Sequence, residues 1–170
     1  HRGPYIERFM SKCLYMPCLY MHFYIEHNFG HHKNVATELD PASAKKGQSL
    51  YHFWITSVFG QYKNAWQIQM KLMKNKKASF ISLENNLLLF FIYQGLYLTT
   101  IYTLLGEGAL MLAFLVGVIS FLFLETINYI EHYGLRRKKL PSGRYENVTM
   151  QHSWNSNHEM GRIFLYELTR

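Results

Sequence analysis

Apolar and polar positions divide this chain into long blocks. From Asn85 to Gly106 no residue carries a formal charge, and the same holds from Gly108 to Leu124, after which the apolar run continues through Glu125 to Ile130. About 20 apolar residues in a helix cross a bilayer, so the pattern predicts two transmembrane segments. Only Gly106-Glu107-Gly108 separates them, which makes a tight helical hairpin over residues 86–130 with both outer ends on one side. Upstream, Tyr5 to about Ile25 is an aromatic, Met-rich helical stretch interrupted by Pro17, a residue that can kink a helix. The charges at Glu7, Arg8 and Lys12 favour placing that stretch along the membrane interface. Ala36 to Gln48, with Asp40-Pro41 and Gly47, reads as a polar loop, and Ser49 to about Lys74 as a helix on or entering the interface. Leu140 to Gln151 is a loop by its Pro, Ser and Gly content, and Trp154 to Arg170 a closing helix. The expected class is an all-α integral membrane protein, with residues 1–170 forming part of a single membrane-embedded domain.

Charge orients the hairpin. Lys71, Lys74, Lys76 and Lys77 precede the first span and Arg136, Arg137, Lys138 and Lys139 follow the second, whereas the turn carries only Glu107. The positive-inside rule puts both outer ends in the cytoplasm, which implies a multi-pass protein of the cytoplasmic (inner) membrane. The net charge of +7 is thereby explained by two membrane-flanking clusters. A nucleic-acid partner would need the same residues arranged as a groove or recognition helix, and that class is set aside. Cys13 and Cys18 lack a CxxC spacing and are read as packing residues on the reducing side. The chain opens on His1 without an initiator methionine and stops inside a helical pattern, so it is expected to be a piece of a longer protein.

The chemistry-bearing pattern is a duplicated tetrapeptide. Tyr-Ile-Glu-His stands at Tyr24 to His27 and again at Tyr129 to His132, each copy closing an apolar, aromatic stretch. The first copy runs into Asn28-Phe29-Gly30-His31-His32, which places histidines at offsets 0, 4 and 5. On an α-helix His27 and His31 share a face, while His32 is turned by about 100° from His31, so two adjacent metal positions are expected. Gly30 leaves room beside the rings for another backbone or a small ligand such as dioxygen. Glu26 and Glu131 each precede a histidine and are candidate acceptors for the ring N–H that a metal-bound imidazole leaves over. Glu125 shares a helical face with Asn128 and His132. It either supports the metal site together with Asn128 or makes a structural hydrogen bond near the interface. His22 and His52 lie in aromatic sequence without partner histidines and are read as packing or interfacial residues, and neither His152 nor His158 is read as a ligand.

These strings resemble the integral-membrane alkane 1-monooxygenases of the AlkB type, within the wider superfamily of membrane fatty-acid desaturases and hydroxylases. The second histidine box of that family, E-H-x-x-G-H-H, stands here as Glu26 to His32, followed by Ala36-Thr37 and Asp40-Pro41-Ala42-Ser43-Ala44. Its signature N-Y-x-E-H-Y-G-L stands as Asn128 to Leu135, and Trp154-Asn155-Ser156 with His158 is similar to the lead-in to the last box. The first box is represented at most by His1 and Arg2, and the chain stops before the histidines of the last. The resemblance implies two non-haem iron ions held on the cytoplasmic side by His27, His31, His32, His132 and His1, with Glu26, Glu131, Glu125 and Asn128 around them. If His1 is a ligand, the segment after it must bend or lie along the interface, because a straight helix to Ile25 is about 30 Å long. The implied reaction inserts one atom of O2 into the terminal C–H bond of a medium-chain n-alkane. Electrons would come from rubredoxin and its NAD(P)H-dependent rubredoxin reductase, and the present stretch alone would be inactive.

Other classes compete. A membrane fatty-acid desaturase or a xylene-type aromatic side-chain hydroxylase would use the same metal chemistry on other substrates. A membrane haem electron carrier would pair histidines within its spans, whereas here they crowd at helix ends. A zinc protease needs H-E-x-x-H, and His158-Glu159-Met160-Gly161-Arg162 fails at its last position. A transporter would carry polar residues midway through its spans, and these have few.

Overall fold

The computed structural model of the chain describes residues 5–154. His1, Arg2, His158 and nearly all of the helix expected from Trp154 to Arg170 lie outside that range. The described elements are helical: α1 (Tyr5–Tyr15), α2 (Phe23–Glu26), a π-helical turn (His27–His31), α3 (His32–Asn34), α4 (Leu50–Lys76), α5 (Asn86–His132) and a 3-10 turn (Met150–His152). Among the described residues extended pairing is confined to one antiparallel bridge, Lys139 with Tyr145. Two compact units emerge, one from the N-terminal segment up to Gly30 with Gln61–Phe123, the other from His31–Gly60 with the chain from Leu124 onward.

In the first unit the N-terminal helical stretch is broken more thoroughly than a kink at Pro17 would require. α1 stops at Tyr15 and helix resumes only at Phe23. Pro17 disfavours helical backbone at the residue before it, and two residues later Leu19 takes a left-handed φ of 53°. Bulky residues rarely adopt that conformation. What holds it is a notch at Gly117, where an added Cβ would lie 2.7 Å from Leu19 Cγ and 3.1 Å from the Pro17 carbonyl. The apolar core beside this turn joins Met21, Ile25, Ala65, Leu87 and Phe90.

α5 is interrupted at Gly106, whose φ of 82° and ψ of −177° are open in practice to glycine alone. The ring of Tyr24 meets Phe90 at 6.4 Å, and that of Tyr20 stacks on Phe121 at 5.1 Å. An unbroken helix would hold Phe90 and Phe121 about 46 Å apart, while Tyr20 and Tyr24 are at most about 14 Å apart along the chain. The apolar run therefore folds back between them, and Gly106 lies midway. α5 is long and apolar enough to cross a membrane, and only 11% of its most apolar window is buried. A helix that packs the core of a water-soluble protein buries such a stretch, so this surface suits lipid. Its hydroxyls turn inward on their own backbone: Thr100 donates to the Leu96 carbonyl at 2.8 Å, Thr103 to Thr99 at 3.0 Å and Ser120 to Val116 at 2.7 Å.

The second unit sets the start of α4 against the end of α5. Trp54 Nε1 donates to Thr126 Oγ1 at 3.1 Å, Ser57 Oγ to Glu125 Oε2 at 2.5 Å and Tyr129 Oη to the Gln48 carbonyl at 2.7 Å, with the Phe53 ring edge-on to Tyr129. The interior is unusually polar, since Ser57, Glu125, Asn128, Asp40, Ser43, Glu131, His132 and His152 are all buried. Gly60 of α4 lies directly against Pro41, where a Cβ would come to 2.5 Å from the proline Cβ. Gly60→Ala should accordingly destabilise the full-length protein in detergent by about 1–3 kcal/mol through overpacking. Gly95→Ala, which meets nothing within 4 Å, should leave the thermal midpoint no lower than that of the parent. Equal midpoints for both variants would show that the contact with Pro41 is not tight.

Candidate metal centre

The second unit brings two of the expected ligands together. His31 ends the π-helical turn, His132 ends α5, and their rings stand 5.0 Å apart with planes inclined by 54°. The partner of each Nδ1 fixes the tautomer. His31 Nδ1 lies 3.0 Å from Asp40 Oδ2, and the same carboxylate receives the Ser43 hydroxyl at 2.5 Å and the Ala42 N–H at 3.1 Å. Burial pushes the Asp40 pKa up, but the hydrogen bond and charge of His31 with the bonds from Ser43 and Ala42 outweigh it and hold the carboxyl below its ordinary value. An ionised carboxylate only accepts, so His31 Nδ1 carries the hydrogen. His132 Nδ1 lies 3.0 Å from the backbone carbonyl of His152, which likewise only accepts. In the neutral imidazole each ring then presents an Nε2 lone pair, the arrangement in which histidine binds metal.

A carboxylate stands beside the second ring. Glu131 Oε2 is 3.8 Å from His132 Nε2, and Glu131 Oε1 is buried without a hydrogen-bond partner among the described residues. Glu131 thus lies beside the ring of His132. Among the described residues no group of three or more His, Cys, Asp or Glu side chains is arranged to enclose a metal ion. Imidazole and carboxylate are donors of a kind that iron accepts.

The remaining expected residues fall as follows. His32 is exposed on α3, its ring 5.9 Å from that of His31. His27 belongs to the first unit, half-buried, its ring stacked on Phe23 at 4.7 Å. Glu26 is fully buried there. The turn that carries these residues is π-helical instead of α-helical, with i→i+5 bonding, so the α-helical offsets do not describe it. The space expected beside Gly30 is filled: a Cβ would meet Glu26 Oε1 at 2.6 Å and Ile68 Cδ1 at 3.1 Å, so the glycine admits the chain's own carboxylate. Glu125 and Asn128 join Ser57 in a buried chain, with Asn128 Nδ2 3.4 Å from Glu125 Oε1. His22 packs between Tyr20 and Tyr62, and burial lowers its pKa to about 4.

Two supports were not visible as such in the sequence. The ring acceptors of His31 and His132 are Asp40 and the His152 carbonyl, so the Nδ1 of His132 is met by a backbone group and not by the adjacent Glu131. Neighbouring side chains on a helix diverge by about 100° and do not face each other. The second support is Arg137, expected only as a membrane-flanking charge. Its guanidinium donates to the carbonyls of Glu146 at 2.7 Å, Lys33 at 3.0 Å and Val35 at 3.4 Å, and its N–H bonds the Ala36 carbonyl at 2.7 Å. Arg136 donates to the Ser43 carbonyl at 3.2 Å. The loop that carries Asp40 is thus fastened to the segment after His132.

Residues 1–170 match the family model described as fatty acid desaturase. The chain is 38% identical over its whole length to an alkane 1-monooxygenase of Acinetobacter baylyi and 41% identical, again over its whole length, to alkane 1-monooxygenase 1 of Alcanivorax borkumensis. It spans 42% of the length of each of these relatives. It is 30% identical, over 96% of its length and 42% of the relative's, to the xylene/toluene monooxygenase hydroxylase component XylM of Pseudomonas putida.

If Arg137 acts as a fork on backbone carbonyls, Arg137→Lys should fail to replace it, because an ammonium keeps the charge and loses the planar geometry. Hydrogen exchange at the amides of Ala36 and Ala42 should speed up in both Arg137→Ala and Arg137→Lys. Parental protection in the lysine variant would reduce the arginine to its charge.

Proposed function

The chain belongs to the fatty acid desaturase family, and on that premise we propose that it is part of an integral-membrane, non-haem diiron monooxygenase that converts medium-chain n-alkanes to 1-alkanols. The observation that carries the reading is the pair His31 and His132, whose rings stand 5.0 Å apart, each with its Nδ1 held by an acceptor. The whole-chain likeness to alkane 1-monooxygenases supports the substrate class. His27, His32 and His1 are the further ligands in this reading, with Glu26, Glu131, Glu125 and Asn128 as supporting residues. Bound iron would supply the activation of dioxygen.

The chain's own contribution is positional. Asp40 and the His152 carbonyl hold the two rings in one tautomer and orientation, so no proton has to leave Nε2 before metal binds. The apolar arms of α5 offer a path from the lipid to the ligands at its end, and a linear alkane entering that way presents a terminal methyl first. Both outer ends of the hairpin, and with them the iron site, face the cytoplasm of the inner membrane in this reading, where rubredoxin and its reductase deliver electrons. A second reading, hydroxylation of an aromatic side chain, is favoured by the likeness to the xylene/toluene monooxygenase component.

Two experiments on the full-length protein test these statements. His31→Ala and His132→Ala should each lose bound iron and hydroxylation, His22→Ala should retain both, and Asp40→Ala should weaken iron binding by about 10–100-fold without removing a ligand. Normal iron loading in the His31 or His132 variant would strike that residue from the ligand set. Membranes supplied with rubredoxin and its reductase should convert n-octane to 1-octanol with one atom of labelled dioxygen incorporated. Turnover of xylene but not octane would favour the second reading, and an alkene formed from a fatty acyl substrate would favour a desaturase.

A further inference from the structure

The segment after α5 contains a buried histidine whose side chain the ligand set leaves out. His152 closes the 3-10 turn and is 7% exposed. Both of its ring nitrogens are engaged. Nδ1 receives the backbone N–H of Thr149 at 3.0 Å and lies 3.1 Å from the Thr149 hydroxyl. A backbone N–H only donates, so Nδ1 accepts and, in the neutral ring, the hydrogen sits on Nε2. That nitrogen lies 3.3 Å from Glu146 Oε1, an oxygen that also accepts the Lys138 N–H at 2.8 Å. The tautomer is the reverse of that in His31 and His132. The backbone of His152 is tied down as well. Its N–H bonds the Thr149 carbonyl at 3.0 Å, within a capping box that Thr149 and His152 form together, and its carbonyl stands 3.0 Å from His132 Nδ1.

We propose that His152 is a positioning residue for His132: its ring, clamped between Thr149 and Glu146, holds its own carbonyl on His132 Nδ1 and so sets the orientation of the His132 ring. A carbonyl in a loop can ordinarily turn with its peptide plane, and an acceptor that turns does not orient a ligand. Here both neighbours of that carbonyl along the chain are pinned. On one side the ring of His152 is fixed to Glu146, which is itself fastened to the segment after His132, its N–H bonding the Lys138 carbonyl at 3.0 Å and its carbonyl accepting from Arg137 Nε at 2.7 Å. On the other side Trp154 gives its N–H to the Glu131 carbonyl at 2.8 Å. The acceptor of His132 is thus anchored to residues that flank His132 in sequence, and the three move as one piece. With both ring nitrogens engaged, His152 acts through its neighbour. The orientation of His132 is a property of the chain alone, while its consequence for iron rests on the function proposed above.

The test uses the full-length protein in detergent and two readouts: deuterium uptake at the ring C2 position of His132 in iron-free protein, followed by mass spectrometry, and iron affinity by competition with a chelator. His152→Leu removes both ring contacts. It should speed C2 exchange at His132 and weaken iron binding about tenfold, the low end for loss of a group that orients a ligand, with the number of irons bound at saturation unchanged. His152→Asn puts an amide oxygen where Nδ1 accepts the Thr149 N–H, and should restore most of both values. Glu146→Leu leaves the capping box intact and should move both readouts in the direction of His152→Leu, which keeps the test open if that variant folds poorly. Parental C2 exchange in His152→Leu and Glu146→Leu would overturn the proposal. So would a lower iron count at saturation in both His152→Asn and His152→Leu, which would make His152 a ligand. His132→Ala, run alongside, checks the metal reading separately: parental iron binding in that variant would sink the reading, and C2 exchange in iron-free protein would still decide whether His152 orients the ring.

Discussion

Burying the Asp40 carboxylate takes it out of water, a cost that is met only if its oxygens are given donors. Around this constraint the second unit is organised. His31, Ser43 and Ala42 supply the donors, Ser43 in turn accepts the Ala36 N–H at 2.8 Å, and the loop from Val35 to Gln48 closes on itself around the charge. The same hydrogen bond that satisfies Asp40 fixes the ring of His31, which stands 5.0 Å from that of His132. Folding of the loop and preparation of the donor pair are a single event.

Arginine finishes that arrangement. Loop carbonyls at Lys33, Val35, Ala36 and Ser43 would otherwise compete for water at the edge of a buried polar cluster, and Arg136 and Arg137 reach them with planar forks and backbone N–H groups. These arginines therefore have two jobs on different scales. Their charge suits a membrane surface, and their geometry binds the Asp40 loop to the helix end that carries His132. Trp154 closes the opposite side, giving its backbone N–H to the Glu131 carbonyl at 2.8 Å and its ring N–H to that of Tyr133 at 2.9 Å.

What could be read in advance was what repeats or persists along the chain. The uncharged run with a glycine-flanked turn at its middle declared both arms of α5, because a stretch that apolar has no other low-energy conformation in lipid. The duplicated Tyr-Ile-Glu-His drew attention to His132 and the clustered histidines to His31, two rings that the fold brings within 5.0 Å of each other. Three things were hidden. The π-helical register of His27–His31 occurs together with the Glu26 carboxylate lying against Gly30, a contact that no spacing rule encodes. Asp40 pairs with His31 across nine residues of irregular loop, where helical periodicity has nothing to say. The break from Met16 to His22 depends on Leu19 fitting against Gly117, residues far apart in the chain. Local pattern announces elements and ligand types, while the partners that orient them are chosen by tertiary contact.

The hydroxyls of α5 carry a further meaning. Thr100, Thr103 and Ser120 each give their hydrogen to a carbonyl one turn back on their own helix. Residue-by-residue hydropathy charges such side chains with the full cost of dehydrating a polar group, yet here that cost is already met inside the helix. At these three positions the arms are therefore oilier than their composition suggests, and these hydroxyls need no polar partner from a neighbouring helix to rest in hydrocarbon. A surface of that kind can slide and rotate against lipid or another apolar helix without breaking a hydrogen bond.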